Sequence, residues 1–312
     1  MINIFLAIAA FIISIIFLYK GSDILVEGTS KAALHFGIST LIISAIFVGF
    51  GTSAPELAIS VGAAAQNQPN ISIGNIIGSC IANLLLVLGF SAIIRPIQVN
   101  KNIFKREMLF MLAATLLLII SSRIGLLDTY HVYGGIIFLI FFIFFILYFI
   151  KIAKKEREKN KKIPDVHIQK NILRIILGII GVVIGAYLLI EASITIAEFL
   201  GISKLIIALS LVAIGTSLPE LVISAMAAFK KESDIAVGNV LGSNVFNILL
   251  ILGISALFIP LNAFNSFDYL LILLGASLLM FPLLYTGYTI SKKEGIIMLI
   301  FYSMFIWYIF IF

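Results

Sequence analysis

The chain reads as an all-α membrane protein of ten transmembrane helices, arranged as two inverted five-helix repeats with broken helices at the centre. Three observations predict this: an extreme apolar composition, apolar stretches of membrane length, and a repeat at a fixed offset. Hydrophobic residues make up 62% of the 312 and charged residues 12%, against about 25% charged in ordinary soluble domains. A water-soluble fold of this size could not hide so much apolar surface, whereas a helical membrane protein does not need to.

Splitting the apolar stretches at Gly, Pro, Asn and charge clusters gives spans near 2–33, 38–65, 71–95, 104–122, 128–150, 170–198, 202–229, 235–259, 266–287 and 293–312. The chain is apolar from Ile2, without a basic leader or a clean small-residue cleavage site, so the first span is expected to be retained. Alternate connections carry Lys31, then Arg95, Lys101, Lys105 and Arg106, then the cluster from Lys151 to Lys162 with Lys170 and Arg174, then Lys230 and Lys231, and finally Lys292 and Lys293. The opposite connections carry only Arg123 and Lys204, and Lys20 falls inside a span. This bias predicts a plasma (inner) membrane protein with both termini extracytoplasmic. The net charge of +6 is therefore an orientation signal, and no nucleic-acid partner is expected.

Adding 164 to positions from Gly37 to Pro96 lands on a counterpart without a gap. GISTLII meets GISKLII, GTSAPEL meets GTSLPEL, and SIGNIIGSCIAN meets AVGNVLGSNVFN. Five spans per unit is an odd number, so consecutive units must lie in opposite orientations, with a binding site expected where they meet. The predicted organisation is a first transmembrane repeat at 1–150, a basic cytoplasmic linker at 151–168, read as a solvated loop, and a second repeat at 169–312.

Polar interruptions recur in both repeats. Pro55 has no N–H, so the Gly51 carbonyl loses its helical partner, and Pro219 does the same to Gly215. Freed backbone of this kind is tolerated at membrane depth only where it lines a polar cavity or is buried in protein. Directly after each break stands a carboxylate, Glu56 or Glu220, at an insertion cost of about 2.5–3.5 kcal/mol. Ser79 and Asn83 share one helix face, as do Ser243 and Asn247, and they read as cation contacts. The neighbouring Gly74, Gly78, Gly238 and Gly242 read as packing positions. Glu27 and Glu191 also align at the repeat offset and read as interfacial anchors. All these donors are oxygen, which suits a hard cation such as Ca2+ with its six to eight ligands. Cys80 is alone and the three His are scattered, which excludes an intramolecular disulfide and gives no zinc or iron–sulfur spacing. Two carboxylates neutralise one Ca2+, and the same oxygens could hold Na+ instead. Competition for shared ligands would couple the two ions.

At these residues the sequence resembles the cation/Ca2+ exchanger superfamily, specifically its prokaryotic Na+/Ca2+ exchanger branch, through GTSAPE…GNIIGSCIAN and GTSLPE…GNVLGSNVFN. The resemblance implies a non-enzymatic antiporter without cofactors, expected as a monomer, whose partners are Ca2+, Na+ and the lipid bilayer. Glu56 and Glu220 would be the central ligands, completed for Ca2+ by the carbonyls of Thr52 and Thr216. Ser53, Ser79, Ser217, Ser243 and the carbonyls of Gly49 and Ala213 would serve Na+. Asn83 and Asn247 would lie at the middle position. The family's exchange of three Na+ for one Ca2+ would make transport electrogenic. The first and sixth spans would slide across the rest. Asn247 stands where some relatives, including K+-dependent ones, carry aspartate, so no K+ requirement is expected. Ca2+/H+ exchange is the alternative reading; a channel would conduct downhill without counter-ion dependence, and no catalytic motif accompanies the two acids.

Overall fold

The computed structural model describes residues 4–98, 101–159, 168–200, 215–285 and 287–311. Its first helix is α1 (Ile4–Phe36). A broken pair follows, α2 (Thr40–Thr52) and α3 (Ala54–Ala65), bent by 48° at the break. Ser53 forms the elbow at φ −77°, ψ 6°, with Pro55 in the first turn of α3, so the break lies where the missing proline N–H predicts it. Helix α4 (Pro69–Ile94) starts on a proline, whose fixed φ suits the first helical position. Next come β1 (Ile97–Gln98), α5 (Lys101–Arg123), α6 (His131–Lys159) and α7 (Ile168–Phe199). In the second half, Ser217 forms the matching elbow at φ −83°, ψ 6° ahead of α8 (Leu218–Phe229). It is followed by α9 (Ser233–Phe258), α10 (Phe267–Tyr285), β2 (Thr289–Ile290) and α11 (Lys292–Ile311). The two short strands pair antiparallel, Ile97 opposite Ile290, and tie the approach to α5 to the approach to α11.

Among the described residues six helices are long and apolar enough to cross a membrane, or seven if the bent pair is one span. The predicted span at 202–229 is described only from Gly215 onward. Helix ends match the expected spans closely, with one difference: α6 runs on through Lys159. The first part of the basic linker is thus helical rather than loop. Lys, Glu and Arg are good helix formers, and Lys154 and Glu158 stand four apart, a supporting spacing.

Helices α4 and α9 form the middle of the molecule, with 78% and 83% of their most apolar windows buried, against 22% and 28% for α1 and α7. The outer pair packs along its own length. A Cβ on Gly178 of α7 would lie 2.6 Å from the Leu25 Cβ of α1, so glycine is what permits this approach. The pair contributes Leu18, Leu25, Val182 and Ala186 to an apolar cluster completed by Ile43 and Val48 of α2 and Ile223 of α8. Polar ties join α1 to the turn between α8 and α9: Lys230 pairs with Asp23 at 2.6 Å, and Ser30 donates to Glu232 at 2.8 Å.

Candidate metal-cation site

Both elbows deliver a carboxylate into the middle of the protein. Glu56 lies in the first turn of α3 and Glu220 in the first turn of α8, and neither has any exposed surface. A helix N-terminus favours negative charge, which offsets part of the burial cost. Helix α3 packs on the start of α4 and the end of α9, while α8 packs on the start of α9 and the end of α4. This exchange of partners sets both carboxylates against the same pair of central helices.

Side chains of the GN…GS motifs clamp the elbows. Asn75 donates to Ser60 Oγ at 2.9 Å and to the Glu56 carbonyl at 3.5 Å. Asn239 repeats the pattern with Ser224 Oγ at 3.0 Å and the Glu220 carbonyl at 3.3 Å. Hydroxyls then cross between repeats. Ser79 donates to Glu56 Oε1 at 3.3 Å and lies 3.2 Å from Thr216 Oγ1. Ser243 donates to the Gly49 carbonyl at 3.3 Å and lies 3.2 Å from Thr52 Oγ1, which reaches Asn239 Oδ1 at 3.1 Å.

What the network leaves unmade is more informative. Glu56 Oε2, both Glu220 carboxylate oxygens, Ser53 Oγ, Ser217 Oγ, Asn83 Oδ1 and both amide atoms of Asn247 are buried without a hydrogen-bond partner. Each buried polar atom left unpaired costs about 1–3 kcal/mol. So many gathered around two carboxylates point to a ligand that supplies positive charge and accepts oxygen donors. Cys80 sits beside Asn247 and the Met111 sulfur beside Asn244; the unpartnered atoms of the carboxylates and hydroxyls are oxygens, the set that hard cations prefer.

Of the residues expected from the sequence, Glu56, Glu220, Thr52, Thr216, Ser53, Ser217, Ser79, Ser243, Asn83, Asn247 and Gly49 fall on the elbows and on the facing turns of α4 and α9. Ala213 lies outside the described residues. Glu27 is held at the surface by Arg174 at 3.2 Å and by Lys31, and Glu191 is exposed. Packing holds for Gly238 and Gly242: a Cβ on Gly242 would collide with the Ala45 carbonyl of α2. Gly74 and Gly78 instead border a cavity of about 400 Å3, lined also by Asn70, Asn265 and Tyr269.

Sequence reasoning passed over Asn75, Asn239, Ser60 and Ser224, although all four recur at the repeat offset and could have been found by it. It also passed over Asn244, whose counterpart at that offset is Cys80 and which therefore carries no repeat signal. The π-helical turns at Ser44–Val48, Asn83–Val87 and Phe246–Ile251 had no local sequence signal. Such bulges are frequent at functional sites, and two of them include Asn83 and Asn247.

Comparison with known proteins gives concordant results. The profile of the family described as sodium/calcium exchanger protein matches residues 6–151 and 170–311. An uncharacterised membrane protein of Methanocaldococcus jannaschii is 38% identical over 298 residues, covering 95% of this chain and 96% of that protein. Sodium/calcium exchanger MaX1 of Methanosarcina acetivorans is 33% identical over 336 residues, again covering 95% and 96%. A structure of the sodium-calcium exchanger NCX_Mj, soaked with Na+ and Sr2+, superposes with a TM-score of 0.83 at 36% identity, covering 97% of this chain and 98% of that one.

Proposed function

Since the chain belongs to the sodium/calcium exchanger family, with its two inverted repeats in a membrane, we propose that it is a secondary antiporter exchanging Ca2+ for Na+ by alternating access at Glu56 and Glu220. The observation that carries this reading is the cluster of unpartnered buried oxygens around the two carboxylates. Glu56 and Glu220 are its central ligands, with the carbonyls of Thr52 and Thr216 completing the Ca2+ site. The hydroxyls of Ser53, Ser79, Ser217 and Ser243, with the carbonyls of Gly49 and Ala213, serve Na+. Asn83 and Asn247 occupy the middle. Because the same oxygens serve both ions, Na+ entry displaces Ca2+.

Exchange of three Na+ for each Ca2+ makes the cycle electrogenic and, under an inward Na+ gradient, drives Ca2+ extrusion. With two carboxylates rather than three, K+ is not required. Helices α1 and α7 form the moving unit; their shallow burial and their packing along each other support a body that shifts as one piece. The distribution of basic residues supports a plasma-membrane orientation with the 151–168 segment in the cytoplasm and both termini outside. The cavity beside Gly74 and Gly78 then opens toward the extracytoplasmic side.

The test is uptake of radiolabelled Ca2+ into proteoliposomes under separately imposed Na+, K+ and H+ gradients. Uptake should follow the Na+ gradient, respond to membrane voltage and ignore K+. Glu56→Gln or Glu220→Gln should abolish it while the protein still inserts. Normal flux in either variant overturns the site, and uptake that follows the H+ gradient alone establishes proton exchange instead.

A further inference from the structure

We propose that Asn244 is a positioning residue that turns the oxygen of Asn83, rather than its nitrogen, toward the cation. This rests on reading Glu56 and Glu220 as cation ligands and extends that reading to a residue outside both recurring motif positions.

The geometry is a relay of fixed polarity. Asn244 Nδ2 donates to the Cys80 carbonyl at 3.2 Å. A backbone carbonyl can only accept, so this bond dictates which end of the Asn244 amide is nitrogen. The Asn244 oxygen must then face the other way, where it accepts from Asn83 Nδ2 at 3.0 Å. That in turn commits the Asn83 nitrogen and leaves Asn83 Oδ1 as the free end. Both side chains are fully buried, and Asn83 Oδ1 has no partner. The Asn83 N–H bonds to the Ser79 carbonyl, so regular helical register carries it one turn beyond Ser79 on the face that reaches Glu56.

The second repeat lacks the device. At the position equivalent to Asn244 stands Cys80, whose thiol lies 3.9 Å from the Asn244 carbonyl. A thiol is a weak donor and a weak acceptor, with no two-ended polarity to hand on. Accordingly the Asn247 amide has only the weak thiol of Cys80 beside it and makes no bond of full hydrogen-bond geometry at either end. One asparagine is locked with oxygen forward, and its counterpart has no partner of fixed polarity.

The lock matters most in the cation-free state. Two buried carboxylates attract any nearby donor, and an unrestrained Asn83 would swing its NH2 toward them. It would then compete with the incoming ion. Asn244 holds that nitrogen elsewhere, so the ion meets carboxylates that are still available.

Equilibrium binding of radiolabelled Ca2+ to purified protein tests this with Asn244→Cys, which copies the residue of the other repeat, in three backgrounds: unchanged, Asn83→Asp and Asn83→Ala. A carboxylate presents oxygen at both ends and alanine has no amide, so neither background has an orientation to set. Asn244→Cys should weaken binding about tenfold in the unchanged background and less than about twofold in the other two. In transport it should raise KM for Ca2+ and leave kcat nearly constant. Equal weakening in all three backgrounds, or none in the unchanged one, overturns the proposal. Undiminished Ca2+ binding in Glu56→Gln and Glu220→Gln would instead overturn the site on which it rests.

Discussion

Helix α4 sets Ser79 against Glu56 of its own repeat and Thr216 of the opposite one, whereas α9 turns Ser243 onto Gly49 and Thr52, both of the opposite repeat. The two helices share the motif GNxxGSxxxN and are almost equally buried. They nevertheless hold their acids at different distances: Ser79 donates to Glu56 Oε1 at 3.3 Å, while Glu220 has Thr52 and Ser243 as hydroxyl neighbours without a bond that close. They also differ at the next turn, where Asn83 is tethered and Asn247 is not. Duplication thus supplied matching donors, and single substitutions such as Cys80 against Asn244 made the halves unequal. On the proposed reading, a site that holds Ca2+ in one state and Na+ in another has a use for such inequality, since identical half-sites would bind both kinds of ion in equivalent ways.

The largest way to break this pairing is at the helix crossing itself. Gly242→Leu drives a side chain into the Ala45 carbonyl of α2, and overpacking of this kind costs about 1–3 kcal/mol or more. Loss of most of the folded, monodisperse protein in detergent is the expected outcome, measured by a thermal unfolding midpoint. An unchanged midpoint would show that α2 and α9 can separate freely. A smaller effect comes from Asn247→Asp, which places a third carboxylate at the untethered position. Ca2+ binding should tighten about tenfold, or about 1.4 kcal/mol, measured by equilibrium binding, with Na+ competing less effectively. The smallest effect separates the serines. Ser79→Ala removes a hydrogen bond to a charged group, and such bonds are roughly twice as strong as neutral ones. Ser243→Ala removes one to a neutral carbonyl. The KM for Ca2+ should therefore rise more in Ser79→Ala, by several-fold, than in Ser243→Ala; the reverse order would mean that Ser243 serves Glu220 directly when an ion is bound.

Much of this molecule is written locally. Spans, breaks and repeats depend on apolar length, on prolines that lack an N–H and on an offset visible by inspection, so helix ends and both elbows lay close to where the chain alone places them. The expectation of packing glycines held only for Gly238 and Gly242, because whether a glycine faces a helix or a cavity depends on what lies across from it. Asn75 and Asn239 belonged to the repeated motif, yet their task of clamping an elbow carbonyl became visible only with partners 15 and 19 residues away in place.

The amino-acid sequence by itself determined a duplicated, inverted membrane fold with two kinked segments and an acid after each, because these follow from hydropathy, periodicity and proline chemistry over short stretches of chain. Only the tertiary structure decided which donor meets which acceptor: Ser79 with Glu56, Thr52 with Asn239, Asn244 with Asn83. Those pairings join residues up to 187 positions apart, and hydrogen bonding is directional over about 3 Å. No local pattern can encode it until the helices have packed.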